Sequence, residues 1–124
     1  MFRQSNTKVY LEENSFIEDC QCINKKTGKV IRACVPMHTF GLPCRIDEIA
    51  DICDKYHLVL IEDASESLGT FYNSGILKNK HTGTVGNIGC LSFNGNKIIT
   101  AGGGGMILTN SLKIAKKARY LTTQ

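Results

Sequence analysis

Residues 46–63 read IDEIADICDKYHLVLIED, a helix pattern followed by a strand pattern. In its first part, apolar residues recur at the i, i+3, i+4 and i+7 spacing of one helix face, which predicts an amphipathic helix. That face consists of Ile46, Ile49, Ala50 and Cys53. The second part contains Leu58–Ile61, an unbroken apolar run that is typical of a strand buried on both faces.

A further strand is predicted before this helix, because Val30–Val35 has a strand-like composition and ends at Pro36. Strand, helix and buried strand in succession form a βαβ unit, so we expect an α/β fold with a mostly parallel sheet. Upstream, Lys26–Gly28 is a turn signal between two strand-like runs, the first of which starts near Cys20, and it predicts a hairpin. Residues 8–19 are expected to be the end of a helix.

The second half of the chain predicts a loop, two strands and a helix. Residues 69–86 are rich in Gly, Asn, Lys and Thr and are expected to form the loop, with a strand over residues 88–93. Gly102–Gly105 lack the Lys-Ser/Thr of a phosphate loop and are followed by the strand-like Met106–Thr109, so they predict a tight return between two strands. The candidate N-caps of the final helix are Asn110 and Ser111.

The composition excludes several classes of protein. Of the 124 residues, 42% are hydrophobic and 21% charged, which is a soluble globular composition and not that of a disordered tail. No run approaches the roughly 18 apolar residues of a membrane-spanning helix, and the first residues lack the apolar core of a secretory signal. The net charge of +4 is modest and its basic clusters lack interleaved aromatic residues, so we expect neither a nucleic-acid nor a membrane partner.

The six cysteines predict neither zinc binding nor disulfides. Cys20 and Cys22 form a C-x-C pair, the others stand alone, and no C-x-x-C occurs. The histidines, which also lack the spacing of zinc ligands, are His38, His57 and His81. We therefore expect reduced thiols in a cytoplasmic protein without a bound metal.

Three stretches carry the chemistry: PMHTFG at residues 36–41, EDASESLG at residues 62–69 and SFNGNK at residues 92–97. In this order and spacing they resemble the DegT/DnrJ/EryC1/StrS family of sugar aminotransferases, which have the aspartate-aminotransferase-like fold type I. The resemblance covers nearly the whole chain. It implies that residues 1–124 are a partial large domain that binds pyridoxal 5'-phosphate, without the family's N-terminal phosphate cup and C-terminal small domain.

The resemblance gives Lys97 and Asp63 the principal roles. Lys97 matches the lysine that forms a Schiff base with the cofactor aldehyde and then transfers the proton as general base and acid. Asp63 matches the carboxylate that keeps the pyridine nitrogen protonated, so that the ring can accept electrons. A surface lysine, and a helix cap or loop acid, are the structural alternatives for these two residues.

Further positions match the family less specifically. Glu66 falls where the family carries Gln, His or Glu near the cofactor's ring oxygen, although a solvated acid is equally compatible with the pattern. Ser92 matches the serine that hydrogen-bonds the cofactor phosphate, with a serine bonded to the backbone as the alternative. Asn94 and Asn96 are expected to orient the Lys97 loop through bonds to the backbone, and His38 to be a hydrogen-bonded structural histidine.

The resemblance implies transamination of a keto nucleotide sugar, most similar to the 4-keto-6-deoxy members, with an amino-acid donor that is usually glutamate. It also implies a homodimer when the protein is full length. Two alternatives remain: a non-catalytic homologue or inactive fragment, and a sugar dehydratase relative. Histidine replaces the lysine in those dehydratases, so Lys97 favours amination. A nicotinamide-binding domain is disfavoured because no G-x-G-x-x-G occurs at a strand-to-helix turn.

Overall fold

A computed structural model of the chain describes residues 4–123, and the side chains from residue 6 onward. Two compact units are present. The first comprises the chain up to Cys34 together with Arg45–Leu60, and the second comprises Val35–Cys44 together with the chain from Ile61 onward. No helix within residues 4–123 is long and apolar enough to cross a membrane.

The first unit opens with helix α1, Gln4–Asn14, and strand β1, Ser15–Glu18. The predicted helix over residues 8–19 is therefore wrong beyond residue 14. Asp19 and Cys20 both have positive φ, and this pair turns the chain so that β1 pairs antiparallel with strand β2, Gln21–Asn24. Two positive φ values suit the tight hairpin turn, but Asp-Cys lacks the Asn-Gly signal by which such turns are recognised.

The hairpin predicted around Lys26–Gly28 is confirmed, because β2 pairs antiparallel with strand β3, Val30–Ile31. The Asn24 carboxamide organises the turn by accepting the backbone N–H groups of Lys26, at 3.0 Å, and Thr27, at 2.9 Å. The prediction that Val30–Val35 is one arm is wrong. After Arg32, residues Ala33–Cys34 form a separate strand, β4.

The central prediction is confirmed in this unit. Helix α2, Ile46–Lys55, buries Ile46, Ile49 and Cys53 and carries acidic residues in its first turn, where the positive end of the helix dipole favours them. It connects β4 to strand β5, Val59–Asp63, and the two strands pair in parallel as the βαβ pattern requires. Val59 is 41% exposed, so the expectation that this strand is buried on both faces is wrong at its start.

In the second unit, the end of β5 pairs in parallel with strand β6, Ile88–Ser92, with Ile61 opposite Ile88 and Asp63 opposite Cys90. Strand β7, Gly105–Leu108, pairs antiparallel with β6. The glycine-rich stretch is thus the predicted return between two strands. The architecture is mixed α/β with partly parallel strand pairing.

The last helix, α3, spans Leu112–Thr122 and is capped as predicted by Ser111, whose side chain accepts the Ile114 N–H. The predicted loop over residues 69–86 contains one short 3-10 helix, Gly75–Leu77, and a bridge between Phe71 and His81. All six cysteines are free thiols.

Two glycines let the end of this loop lie directly on β6. A Cβ built on Gly89 would stand 1.9 Å from the carbonyl oxygen of Gly83, closer than a nonbonded carbon and oxygen can approach. Gly89 and Leu91 are buried on this face of β6, whereas Ile88, Cys90 and Ser92 on the other face are half-buried. The second unit therefore has one face closed by the loop and one face that is more open.

Candidate functional site

Asp63 lies at the carboxyl end of β5, where ligands bind in open α/β sheets. Its backbone is fixed on both sides, since its N–H donates to Pro36 O and its carbonyl accepts the His38 N–H, each at 2.9 Å. Its carboxylate accepts the Ser65 N–H at 3.1 Å. Within residues 4–123 no ion pair engages this carboxylate, so a charged group remains available at the strand end.

Ser92 lies on the same face of the sheet as Asp63. The register places Asp63 opposite Cys90, and Ser92 follows two residues later on β6, so the side chains project to one side. Burial raises the pKa of the Cys90 thiol, and the charge of Asp63 raises it further, which agrees with a common face. The Ser92 hydroxyl accepts the Asn94 N–H at 3.4 Å and can donate its own hydrogen.

Lys97 lies in the connection between β6 and β7, where its N–H donates to Asn94 O at 3.1 Å. Its side chain is only 17% exposed, and Nζ lies 3.7 Å from Oε1 of Glu66. The alternative of an ordinary surface lysine does not describe this environment. Most lysines extend into water, whereas this amine lies against a half-buried carboxylate.

Two of the four predicted residues are thus in direct contact, Lys97 with Glu66, and two share a sheet face, Asp63 with Ser92. In the part of the chain that the structure describes, no hydrogen bond or ion pair joins the Lys97 amine to either Asp63 or Ser92. The alternative of a solvated acid does not describe Glu66, since its second oxygen accepts the Phe40 N–H at 2.8 Å.

The Lys97 connection is organised mostly by its backbone. Phe93 N–H donates to Gly104 O at 2.9 Å, and Ala101 N–H donates to Phe93 O at 3.0 Å. The two asparagines were expected to bond to the backbone, but Asn94 Nδ2 instead donates to Asn96 Oδ1 at 3.2 Å. Side-chain amides in an exposed loop can satisfy one another when the main chain is already paired.

A buried anchor lies beside the site, and its role was not predicted from the sequence. Glu62 is fully buried, and each of its carboxylate oxygens accepts two hydrogen bonds: Oε2 from His38 Nε2 and Gly83 N, both at 2.9 Å, and Oε1 from Val85 N and Gly86 N, at 2.7 and 2.6 Å. Burial by itself would raise the pKa of Glu62, but these hydrogen bonds outweigh it and hold the pKa below the ordinary value.

This arrangement gives His38 the structural role expected of it. Its ring is fully buried, with Nε2 on Glu62 and Nδ1 accepting the Cys44 N–H at 3.0 Å. The only sequence signal for a buried role was position. Glu62 precedes Asp63 in the strand, so its side chain points to the opposite face of the sheet, the face covered by the loop. An acid at such a position must find buried donors.

Comparison with known proteins identifies the same group of enzymes as the motifs. The model of the "DegT/DnrJ/EryC1/StrS aminotransferase family" matches residues 8–124. A "putative pyridoxal phosphate-dependent aminotransferase EpsN" from Bacillus subtilis is 45% identical over 81% of this chain and 24% of its own length. A GDP-perosamine synthase from Vibrio cholerae is 37% identical over 92% of this chain and 30% of its own.

A solved structure agrees in fold. The crystal structure of a DegT DnrJ EryC1 StrS aminotransferase from Brucella abortus superposes with a TM-score of 0.68 at 30% identity, over 77% of this chain and 24% of that one. The chain therefore spans 24–30% of the length of these three relatives.

Proposed function

Because this chain belongs to the DegT/DnrJ/EryC1/StrS aminotransferase family, we propose that it is the part of a pyridoxal-phosphate-dependent sugar aminotransferase that carries the cofactor lysine, Lys97. The observation that carries the proposal is the position of the Lys97 amine, which is largely withdrawn from solvent beyond the end of β6 and faces a carboxylate. Under this proposal, residues 1–124 are one portion of the large domain.

The chemical groups present fit this cofactor. A ring nitrogen that must stay protonated needs a carboxylate, a phosphate needs hydroxyl and N–H donors, and an aldehyde needs an amine. Asp63 offers a carboxylate that no described cation occupies, Ser92 offers a hydroxyl on the same sheet face, and Lys97 offers the amine.

Each residue then has a definite task. When bound, the cofactor supplies a reactive aldehyde carbon and a ring that accepts electrons. Asp63 holds a proton on the ring nitrogen, and Ser92 donates its hydroxyl to the phosphate. Lys97 provides the covalent attachment and, once released by an amino donor, accepts a proton from the donor carbon and returns it. Glu66, which contacts the amine, is proposed to lie near the ring oxygen of the cofactor.

The substrate proposed is a keto nucleotide sugar, in particular a 4-keto-6-deoxy sugar, and the product is the amino sugar, destined for a cell-surface polysaccharide. The GDP-perosamine synthases among the relatives support this class of substrate. Glutamate is the proposed amino donor, in a homodimeric cytoplasmic enzyme. A dehydratase of related sequence is the second candidate, and Lys97 favours amination over it.

Reduction by borohydride tests the proposal. The intact protein, incubated with pyridoxal phosphate, should show a visible absorbance band, and borohydride should add the reduced cofactor to the peptide containing Lys97. The K97A variant should lose both signals, while K113A, a change at an exposed lysine of α3, should keep them. Attachment to another lysine, or to none, would contradict the assignment. Incubation with a keto nucleotide sugar and glutamate then distinguishes an aminated from a dehydrated product.

A further inference from the structure

Glu66 bridges two parts of the second unit that are far apart in sequence. Oε2 accepts the Phe40 N–H at 2.8 Å, and Oε1 lies 3.7 Å from Lys97 Nζ. A single carboxylate therefore stands between the Phe40 backbone and the amine. The Glu66 side chain is 27% exposed and the Lys97 side chain 17%, so solvent screens this pair less than an ordinary surface pair.

The Phe40 end of this bridge is conformationally unusual. Phe40 has φ +55°, a value that bulky residues rarely adopt, and its side chain is 85% exposed, so packing of the ring does not hold the residue there. Backbone groups around it are tied down instead. Gly41 N–H donates to His38 O at 3.3 Å, and the Thr70 hydroxyl donates to Gly41 O at 3.1 Å.

An outlier that its surroundings hold in place points to a local function. The Phe40 N–H is a donor fixed by this turn, and it orients one Glu66 oxygen. The other oxygen lies 3.7 Å from the Lys97 amine, and fixing the first oxygen restricts its position because the two are rigidly joined. The turn and the amine are therefore coupled through one side chain.

We propose that Glu66 is a positioning residue that uses the Phe40 N–H as its fixed point and holds the Lys97 amine in the orientation needed for attachment. This rests on the proposed function only for the reason why the orientation of Lys97 matters. The coupling itself concerns three residues of this chain and can be measured without cofactor.

Two substitutions of Glu66 distinguish the contact of one carboxylate oxygen with the Phe40 N–H from the contact of the other with Lys97. E66Q keeps one acceptor, which the Phe40 N–H will select, and this turns the new NH₂ group towards the Lys97 ammonium, where two donors face each other. E66A removes both contacts. A matched control is E48Q, which alters an exposed acid paired with Arg45 on α2.

Hydrogen exchange of the Phe40 amide reads the first contact in the cofactor-free intact protein. E66A removes the acceptor and should accelerate this exchange about tenfold or more, whereas E66Q keeps a weaker, neutral acceptor and should accelerate it by about fivefold or less. Unchanged exchange at the β6 amides establishes that both variants are folded. If E66A leaves the Phe40 amide as protected as before, or E66Q exposes it equally, the proposed fixed point is wrong.

Reductive methylation with formaldehyde and cyanoborohydride reads the second contact. Labelling of Lys97 relative to the exposed Lys113, measured by mass spectrometry, should rise about threefold or more in both E66Q and E66A, since ion pairing and burial no longer restrain the amine. A ratio in E66Q equal to that of the unaltered protein would overturn the proposal. Relative to E66A, we expect E66Q to regain protection of the Phe40 amide but to keep the increased labelling of Lys97. A glutamate with a merely structural role would not separate these two effects.

These measurements remain informative whatever the cofactor does. If borohydride fails to attach cofactor to Lys97 but the labelling ratio responds to Glu66, the proposed function fails and the coupling stands. If cofactor attaches to Lys97 but the ratio is indifferent to Glu66, only the positioning role fails.

Discussion

His38 Nε2 lies 2.9 Å from Oε2 of Glu62, and solvent reaches neither side chain. Nδ1 accepts the Cys44 N–H, so Nε2 is the ring nitrogen that faces the Glu62 carboxylate as a donor. The pair joins the residues around His38 to the strand that ends in Asp63, and it makes Glu62 the anchor of the site.

E62Q is expected to destabilise the protein strongly. Each carboxylate oxygen accepts two donors, so whichever one the amide NH₂ replaces, that group faces two N–H groups without an acceptor. Disrupting a buried, fully bonded charge typically costs about 3–5 kcal/mol. Thermal unfolding followed by circular dichroism should show a large drop in Tm. E48Q, at an exposed pair on α2, should shift stability by less than about 0.5 kcal/mol, and equal effects of the two changes would refute the anchor.

The same carboxylate predicts a pH dependence of stability. The pKa of Glu62 is lower in the folded protein than in the unfolded chain, so its contribution is fully present above the ordinary glutamate pKa of about 4.3 and is lost as the pH falls below that value. Acid titration of the unfolding free energy should therefore show a steeper loss in the unaltered protein than in E62Q. Parallel curves would mean that Glu62 does not titrate with folding.

G89A is expected to disturb the loop that closes one face of β6. The added methyl group would overlap the Gly83 carbonyl, and the backbone must move to relieve a contact of 1.9 Å. Overpacking of this kind costs about 3 kcal/mol or more when backbone is the obstacle. G103A is the matched control, because a Cβ there meets nothing within 4 Å and needs no positive φ. Chemical denaturation that ranks the two variants alike would show that the loop is free to shift.

D63N tests the electrostatic role of Asp63 separately from its structural role. Asn retains an acceptor for the Ser65 N–H, so Tm should stay nearly unchanged. Under the proposed function, loss of the charge opposite the ring nitrogen should lower the transamination rate by roughly 100-fold, the scale of a lost electrostatic contact at a reacting centre. Steady-state kinetics of the intact, cofactor-loaded protein gives the ratio. D51N, on the exposed face of α2, should retain full activity, and so would D63N if Asp63 were only a cap.

S111A should weaken the start of α3. The Ser111 side chain accepts the Ile114 N–H at 3.4 Å, and loss of an N-cap typically costs about 1 kcal/mol. Hydrogen exchange of the first-turn amides of α3 should accelerate about fivefold, with S111N close to the unaltered protein because Asn caps equally well. If S111A leaves the exchange of these amides unchanged, other contacts hold the start of the helix.

The pattern of apolar side chains correctly predicted the elements whose formation depends on which side chains are buried. The α2 face from Ile46 to Cys53 and the parallel connection into β5 follow from apolar spacing alone, and Ser111 follows from cap chemistry. Predictions failed where backbone conformation or pairing decides. The Asp19–Cys20 turn has no sequence signal. The strand-like run around Arg32 is divided, because the residues before Arg32 pair with β2 and those after it pair with β5, and the run's own composition does not predict these partners.

For the site, motifs identified residues but not their contacts. Lys97, Asp63, Ser92 and Glu66 were recognised by resemblance, yet the sequence could not show that Glu66 takes the Phe40 N–H as a partner, since the two residues are brought together only by the loop path. The buried anchoring role of Glu62 was not predicted for a similar reason. Its partners are mostly main-chain N–H groups, which every residue except proline possesses.

Because the donors to Glu62 are mostly main-chain N–H groups, the side chains of the residues that supply them can vary. The anchor on Glu62 uses backbone atoms at Gly83, Val85 and Gly86, so it places no demand on the side chain at position 85. Related sequences should therefore carry residues of varied size and hydrophobicity at position 85. Proline should be absent there, because it lacks the N–H hydrogen that the carboxylate accepts.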